Sequence, residues 1–400
     1  MTQSFPLTLK ETTDRILTHI SQSQSSETHA SLMGGKMGYA LFEAYYNQLF
    51  GVEDDSRLWK YVSDSLNQVQ EDQMIHSFAG GISGVAWAFL HLYNQGLLQE
   101  EELDAEGIVE GLDEGLFEVS MLLLKDGDFD YLHGGLSACL YFLERKPSAQ
   151  VESYVEQIVT QLSEIAVRFP NGDISWKFRN FNQYTLANAP TCNLGLSHGT
   201  ASIVAVLSLL YERGYARELC KELIEGNLQW MWRVRNKASY SIFPNTVTDE
   251  PQEQESRLAW CYGDLGIANT FWLAGEKLQN QTWKDVANQT ILNSATRQDE
   301  NMRIHDAPFC HGAMGASYIF RKFAKRLAKP LLEVTADVWL QKALDFALPK
   351  DQKDVFLSYR GEKMGYEPNL SILDGEASIG MVLLSEMGAS TAWDRFLLLS

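Results

Sequence analysis

Three short segments carry side chains able to bind a metal: Trp260-Cys261-Tyr262-Gly263, Phe309-Cys310-His311-Gly312 and Ser197-His198-Gly199. Two thiolates and one imidazole drawn from them make a zinc set, because soft sulfur ligands favour zinc over magnesium or calcium. Three protein ligands would leave the fourth position open, the arrangement of a catalytic rather than a structural zinc. There is no compact CxxC pair, so spacing alone leaves a second reading standing. Cysteine is often a small buried hydrophobe that binds nothing. The remaining thiols, Cys139, Cys192 and Cys220, read as core or loop residues, with Cys220 inside the helical pattern Ala216 to Glu225.

Elements must bring these segments to one place, and the sequence repeats a device for doing so. Short glycine-rich patches open apolar stretches seven times: Gly34-Gly35, Gly80-Gly81, Gly134-Gly135, Gly195 to Gly199, Gly263 to Gly266, Gly312 to Gly315 and Asp374-Gly375 to Gly380. Successive starts lie 46 to 68 residues apart, room for two helices and their connections. Glycine at a helix start lets backbones crowd closely. Helical periodicity follows the patches. Ile203, Val204, Leu207 and Leu210 share one face, as do Val85, Phe89 and Leu92. The acid-rich stretch Asp104 to Leu124 also reads as one helix, with Ile108, Leu112, Leu116 and Val119 on a face. The expected fold is all-α in one domain over residues 1–400: seven such glycine-rich starts fit an inner ring of helices closed by an outer ring of returning ones, a double α-barrel, rather than an irregular bundle with scattered glycine. Two stretches interrupt it. Arg168 to Trp176 reads as a hairpin, and Ser239 to Ser256, with Pro244 and Pro251, as a long loop. Both precede patches that carry chemistry.

Composition narrows the function. Of the 400 residues, 52 are acidic and 33 basic, a formal charge of −19. That balance excludes a general nucleic-acid binder, whose affinity for phosphate rests on clustered Lys and Arg. An acidic surface of this kind would attract a basic or amphipathic peptide segment. Residues 1–10 lack a basic region followed by an apolar run, so no secretory signal is expected. Gly81 to Gln99 and Asn193 to Tyr211 are uncharged but rich in His, Gly, Ser and amides, and read as buried helices rather than membrane spans. Five cysteines, few and odd in number, suit reduced thiols in a cytoplasm.

The chain resembles the lanthionine synthetase C-like proteins, cyclases of lanthipeptide biosynthesis. The resemblance spans nearly the whole sequence and rests on the seven patches, on Ser197-His198-Gly199, and on Trp260-Cys261-Tyr262-Gly263 followed about fifty residues later by Cys310-His311-Gly312. The ending Trp393-Asp394-Arg395-Phe396 is similar too. The family fold is an (α/α) double toroid of seven inner and seven outer helices, in agreement with the ring read from the repeat. By motif, the resemblance implies that Cys261, Cys310 and His311 bind one Zn2+ per chain. It implies that His198 is the general acid/base. Asp130 matches an aspartate before the third patch, and Asp128, two residues away, leaves that assignment open. Arg257 matches an arginine near the family's active site. The third patch has Ala138 where a second glycine is common, which bears on packing there.

The implied reaction is a Michael-type addition. A separate dehydratase first converts Ser or Thr of a precursor peptide to dehydroalanine or dehydrobutyrine. A peptide Cys then joins the zinc and is held as thiolate, although a free thiol has a pKa of about 8.5. It attacks the β-carbon, His198 supplies a proton to the α-carbon, and Arg257 stabilises the enolate oxygen. The product is a thioether ring. The absence of a fused kinase- or lyase-like segment points to the stand-alone type, working with a dehydratase and an exporter, cytoplasmic or peripheral to the membrane through such a complex. Bland readings stand beside these roles. His198 before a glycine suits a core or capping residue, Asp130 a helix N-terminus, and Arg257 a surface pair with Glu253 or Glu255. Trp260 and Tyr262 read as packing, and His133 as structural or as support to the site. Relatives that add glutathione to dehydrated residues share the zinc motif. A glycosidase or terpene cyclase would need paired carboxylates or Asp-rich motifs; Asp126, Asp128 and Asp130 are a short acid cluster, but the Cys-Gly motifs would then lack a purpose. A non-catalytic scaffold for zinc and a peptide is opposed by His198 and the open ligand position.

Overall fold

Helices carry the chain, as the periodicity predicts. The computed structural model describes residues 4–23, 29–71, 74–98, 103–177, 192–248, 254–297 and 301–400. In chain order the helices are α1 (Ser4–Gln22), α2 (Lys36–Phe50), α3 (Ser56–Gln70), α4 (Ile82–Asn94), α5 (Ala105–Glu110), α6 (Asp113–Lys125), α7 (Cys139–Glu144) and α8 (Ala149–Glu164). Then follow α9 (Thr200–Arg213), α10 (Arg217–Arg233), α11 (Asp264–Lys277), α12 (Gln281–Ser294), α13 (Ala313–Leu327), α14 (Pro330–Asp345) and α15 (Glu376–Glu386). The chain divides into two compact units. One holds residues 1–109, 304–321 and 333–393; the other holds 110–303, 322–332 and 394–400.

Two kinds of helix alternate along the sequence. Those that follow a glycine patch are buried all round: α9 buries every residue from Thr200 to Ser208, and α11 every residue from Asp264 to Gly275. Such helices have no solvent face to mark with charge. The intervening helices bury one stripe. In α12 it is Trp283, Val286, Ala287, Thr290, Ile291 and Ser294, and in α3 Leu58, Tyr61, Val62 and Ser65. Each large apolar side chain so buried contributes about 1.5–3 kcal/mol. Both stretches that could be mistaken for membrane spans are helices of the first kind, α4 and α9. No helix among the described residues is long and apolar enough to cross a membrane.

The glycine patches form one recurring turn. The first helical N–H of α2, α4, α13 and α15 donates to a carbonyl seven residues upstream: Lys36 to His29 and Ala313 to Asp306 at 2.9 Å, Ile82 to Ile75 at 2.8 Å, Glu376 to Asn369 at 2.9 Å. These bonds satisfy helix N-terminal donors that have no partner inside the helix. The turn leaves no room for a side chain: a Cβ on Gly81 would lie 1.9 Å from the Ile75 oxygen. At Ala138 the pattern lapses. Residues 131–138 form turns, and α7 has six residues.

Two all-round-buried helices open on a carboxylate that reaches back to the loop before it. Asp264 accepts the N–H groups of Ile242 (2.9 Å) and Phe243 (2.8 Å) and pairs with Arg297, both side chains at most 1% exposed. Glu376 accepts from Val355 (2.7 Å) and Phe356 (3.0 Å) and bonds His19 Nδ1 at 2.9 Å. A negative charge at a helix N-terminus is favoured, and here it also pins an irregular segment.

Among the described residues, three two-stranded antiparallel ladders decorate the helices, and two of them are hairpins. The expected one is β1 (Val167–Arg168) with β2 (Ile174–Ser175), in the register Arg168 to Ile174. The long loop contains a strand the sequence did not announce: β4 (Thr246–Val247) pairs with β3 (Cys192–Asn193). A second hairpin, unexpected, joins β5 (Leu357–Tyr359) to β6 (Tyr366–Pro368). The single helix expected over Asp104 to Leu124 is two, α5 and α6, broken at Gly111. Its buried face is Val109, Asp113, Leu116, Ser120 and Leu124, while Ile108 is 43% exposed. The face turns because Asp113 must be inside: it accepts from the Tyr141 hydroxyl (2.5 Å) and from Arg145 Nη2 (2.9 Å).

Candidate active site

In the second unit, three loops that end in glycine turns meet: the one before α7, the one before α9 and the one before α11. The carbonyl of Cys261 accepts both the N–H (3.2 Å) and the Oγ (3.3 Å) of Ser197, which ties the second loop to the third. Tyr262 lies flat over Gly195, where a Cβ would stand 2.7 Å from the ring. Its hydroxyl accepts from Asn193 Nδ2 at 2.9 Å, and Asn193 Oδ1 accepts the Gly195 N–H at 2.7 Å. Burial raises the Tyr262 phenol above its ordinary pKa. Trp260 is fully buried, and its Nε1 donates to the Leu397 carbonyl at 2.8 Å. The C-terminal residues thereby anchor the segment that carries Cys261. Trp260 is packing, as expected.

The first loop supplies Asp130. Its Oδ1 accepts the N–H groups of Leu132 (2.7 Å) and His133 (3.0 Å), and its Oδ2 lies 2.6 Å from His198 Nδ1. The local turn therefore aims the free oxygen at the imidazole. Asp128, the other possibility, accepts the Asp130 N–H at 3.2 Å and packs against Gly134. Between two acids the sequence could not separate, Asp130 is the one bonded to His198. The carboxylate holds the proton on Nδ1 and leaves Nε2 to exchange another. The His198 side chain is 32% exposed and that of Asp130 14%. Burial works against the charged imidazole. Asp130, by hydrogen bond and by charge, and then Cys261 more than offset it, so the His198 pKa is raised. The ring of His133 stacks on His198 with centroids 5.7 Å apart and planes at 15°, and Tyr262 lies 6.5 Å away on a tilt.

Arg257 is half-buried, and among the described residues its side chain makes no hydrogen bond or ion pair. The surface pair considered for it is not formed with Glu255, which pairs with Arg303 at 4.0 Å; Glu253 lies outside the described residues. The Arg257 carbonyl instead shapes the turn: Gly263 has φ 109°, and a Cβ there would sit 2.1 Å from that oxygen.

The first unit holds Cys310 and His311. The Phe309 N–H donates to Ser378 Oγ (3.0 Å) and the Cys310 N–H to the Leu373 carbonyl (3.2 Å). His311 Nδ1 lies 3.9 Å from Asp374 Oδ1. Cys261 in the second unit and Cys310 and His311 in the first are the thiols and the imidazole that the motifs single out as metal ligands. Two thiols and an imidazole fit zinc by ligand chemistry and suit neither magnesium nor calcium. All five cysteines are free thiols. Cys139 and Cys220 lie in the interior, and burial pushes both thiols up to about 12. Sequence reasoning gave Tyr262 and Asn193 no part in the site. Adjacency to Cys261 was the available signal for Tyr262; Asn193 had none.

Comparison with known proteins follows the same lines. The family model of lanthionine synthetase C-like protein matches residues 26–398. The nisin biosynthesis protein NisC of Lactococcus lactis subsp. lactis is 26% identical over 270 residues, 63% of this chain. The match likewise spans 63% of that relative's length. The solved structure of nisin cyclase superposes with a TM-score of 0.75 at 18% identity, covering 98% of this chain and 97% of that one. At such identity the likeness shows the fold, an all-α double toroid as expected.

Proposed function

The chain belongs to the lanthionine synthetase C-like proteins, and on that premise we propose that it closes (methyl)lanthionine rings in a dehydrated precursor peptide. The observation that carries this reading is the Asp130–His198 pair at 2.6 Å, built beside Cys261 in one unit of a chain with this family's motifs. Relatives named for nisin biosynthesis and nisin cyclisation support it. Cys261, Cys310 and His311 are proposed to hold one Zn2+, which when bound would keep a peptide thiol ionised near neutral pH.

The residues of the chain do the rest. The sulfur bonds to the β-carbon of dehydroalanine or dehydrobutyrine, the C=C pair moves to the α-carbon and carbonyl, and one proton must arrive at the α-carbon. Atoms and electrons then balance with no oxidant. His198 Nε2 delivers that proton. Asp130 Oδ2 holds Nδ1–H, fixes the ring and supports its positive charge. Arg257 is free to meet the negative oxygen as it develops. His133 stacks on the imidazole, and Tyr262 packs near it. A separate dehydratase must supply the substrate, an exporter is the expected next partner, and the cytoplasm the expected compartment.

The test is a purified dehydrated peptide bearing one Cys. Ring closure leaves its mass unchanged but removes its reactivity toward N-ethylmaleimide. Persistence of the free thiol with zinc-loaded protein would refute the reading, and a gain of one glutathione would mark an intermolecular addition instead. Metal analysis should give about one zinc per chain, lost in Cys310→Ala.

A further inference from the structure

In the first unit the sixth and seventh glycine turns are laced together through the Phe309 and Cys310 N–H groups. That lacing sets Asp374 beside His311, and Asp374 is itself rigidly held. Its N–H donates to Ser371 Oγ at 3.1 Å, and its carbonyl accepts from Ser358 Oγ (2.5 Å) and Asn369 Nδ2 (3.1 Å). Its Oδ1 is buried and has no hydrogen-bond partner among the described residues. An unpaired carboxylate oxygen shut away from water is costly and calls for a function. His311 Nδ1 lies 3.9 Å from it.

We propose that Asp374 is the positioning residue of His311: it accepts a hydrogen bond from Nδ1–H and so commits Nε2 to the metal. This rests on the zinc reading above. An imidazole ligand commonly donates its other N–H to a carboxylate, which fixes the tautomer, turns the ring and makes the ligating nitrogen more basic. The present gap is longer than a hydrogen bond, and rotation of the ring or of the carboxylate closes it. Asp306 is the other acid whose charge reaches His311. Its Oδ1 is likewise buried without a hydrogen-bond partner among the described residues, but it makes no ion pair with His311 there, and its Oδ2 accepts the Tyr359 N–H at 2.9 Å. Asp374 is thus the better-placed partner.

The experiment measures zinc affinity of the metal-free full chain by competition with a chromophoric chelator, beside the melting temperature of the metal-free protein. Asp374→Asn should bind zinc about 10- to 100-fold more weakly while melting with the wild type. Asp374→Glu, which keeps the charge, should recover much of the affinity. Cobalt in place of zinc should show shifted d–d bands in Asp374→Asn with the thiolate charge-transfer band retained. Affinity of Asp374→Asn within about twofold of wild type overturns the proposal. So does failure of Asp374→Glu to recover affinity when Asp374→Asn also melts early. A wild type that binds no zinc would fell the zinc reading itself, which separates the two failures.

Discussion

Replacing Asp130 with Asn tests the centre of the mechanism with little change of shape. The amide oxygen can still accept the Leu132 and His133 N–H groups that Asp130 Oδ1 now holds. The atom facing His198 then becomes an NH2 group, a donor meeting a donor. A hydrogen bond to a charged partner is worth about 1.5–3 kcal/mol. If the imidazolium form is needed in the transition state, losing that support slows kcat/KM roughly 10- to 150-fold. The pH dependence has a definite sign. Asp130 holds the His198 pKa above its usual value against the opposing effect of burial. Without it burial prevails and the pKa drops. A reaction that needs protonated Nε2 then loses rate at lower pH, so the alkaline limb of the kcat profile moves toward acid. Stability follows the same linkage. A raised folded pKa contributes stability that is complete below the unfolded value and is lost as pH rises through the folded one. The melting temperature gap between wild type and Asp130→Asn should therefore be widest below the ordinary imidazole pKa and narrow as pH rises through the raised folded one. The assay is single-turnover ring closure quenched with N-ethylmaleimide and read by mass spectrometry. Asp128→Asn is the control, expected to leave the pH profile in place. An Asp130→Asn protein within about threefold of wild type, with an undisplaced profile, would refute the reasoning.

Other consequences are testable without substrate. Arg297→Met strands the buried Asp264 carboxylate, which should cost about 3–5 kcal/mol and lower the melting temperature by roughly 4–6 °C in a chain of 400 residues; a loss under about 1 °C would show that the pair contributes little. Gly263→Ala forces a side chain into a positive-φ turn 2.1 Å from the Arg257 oxygen, a strain of about 1–3 kcal/mol or more. It should reduce both melting temperature and zinc content, and unchanged zinc content would mean the turn does not set Cys261. With thiols pushed up to about 12, Cys139 and Cys220 are ionised at pH 7.5 only to on the order of one part in ten thousand or less. Iodoacetamide should spare both until the protein is denatured, and rapid native labelling of either would contradict their burial.

How much of this was legible depended on how local its cause is. The buried helices could be read from glycine because the turn before each rejects a Cβ for a reason contained within about seven residues, as at Gly81 against Ile75. Motif spacing exposed Cys261, Cys310, His311 and His198 for a similar reason: each stands next to such a turn. Where the cause was distant, the sequence was silent or misleading. The periodic Ile108, Leu112 and Val119 suggested the wrong face, because burial of Asp113 is decided by Tyr141 and Arg145 on later elements. Strands of two or three residues, such as β4 and β5, are too short to show alternation. The choice between Asp128 and Asp130 turned on which carboxylate the local N–H groups leave one oxygen to spare, and two acids of one type two residues apart look alike in a sequence. Asp264 and Glu376 make the point most sharply. Each opens a buried helix and grips consecutive N–H groups 20 to 22 residues upstream, at Ile242 and Phe243 or Val355 and Phe356. Nothing in those irregular segments advertises the bond. Yet the device fixes the approach to the two turns beside Cys261 and Asp374, because a backbone donor bound to a buried carboxylate cannot leave without stranding a charge. The chemistry of this chain is written beside its glycines, and its rigidity in acids whose partners only the fold reveals.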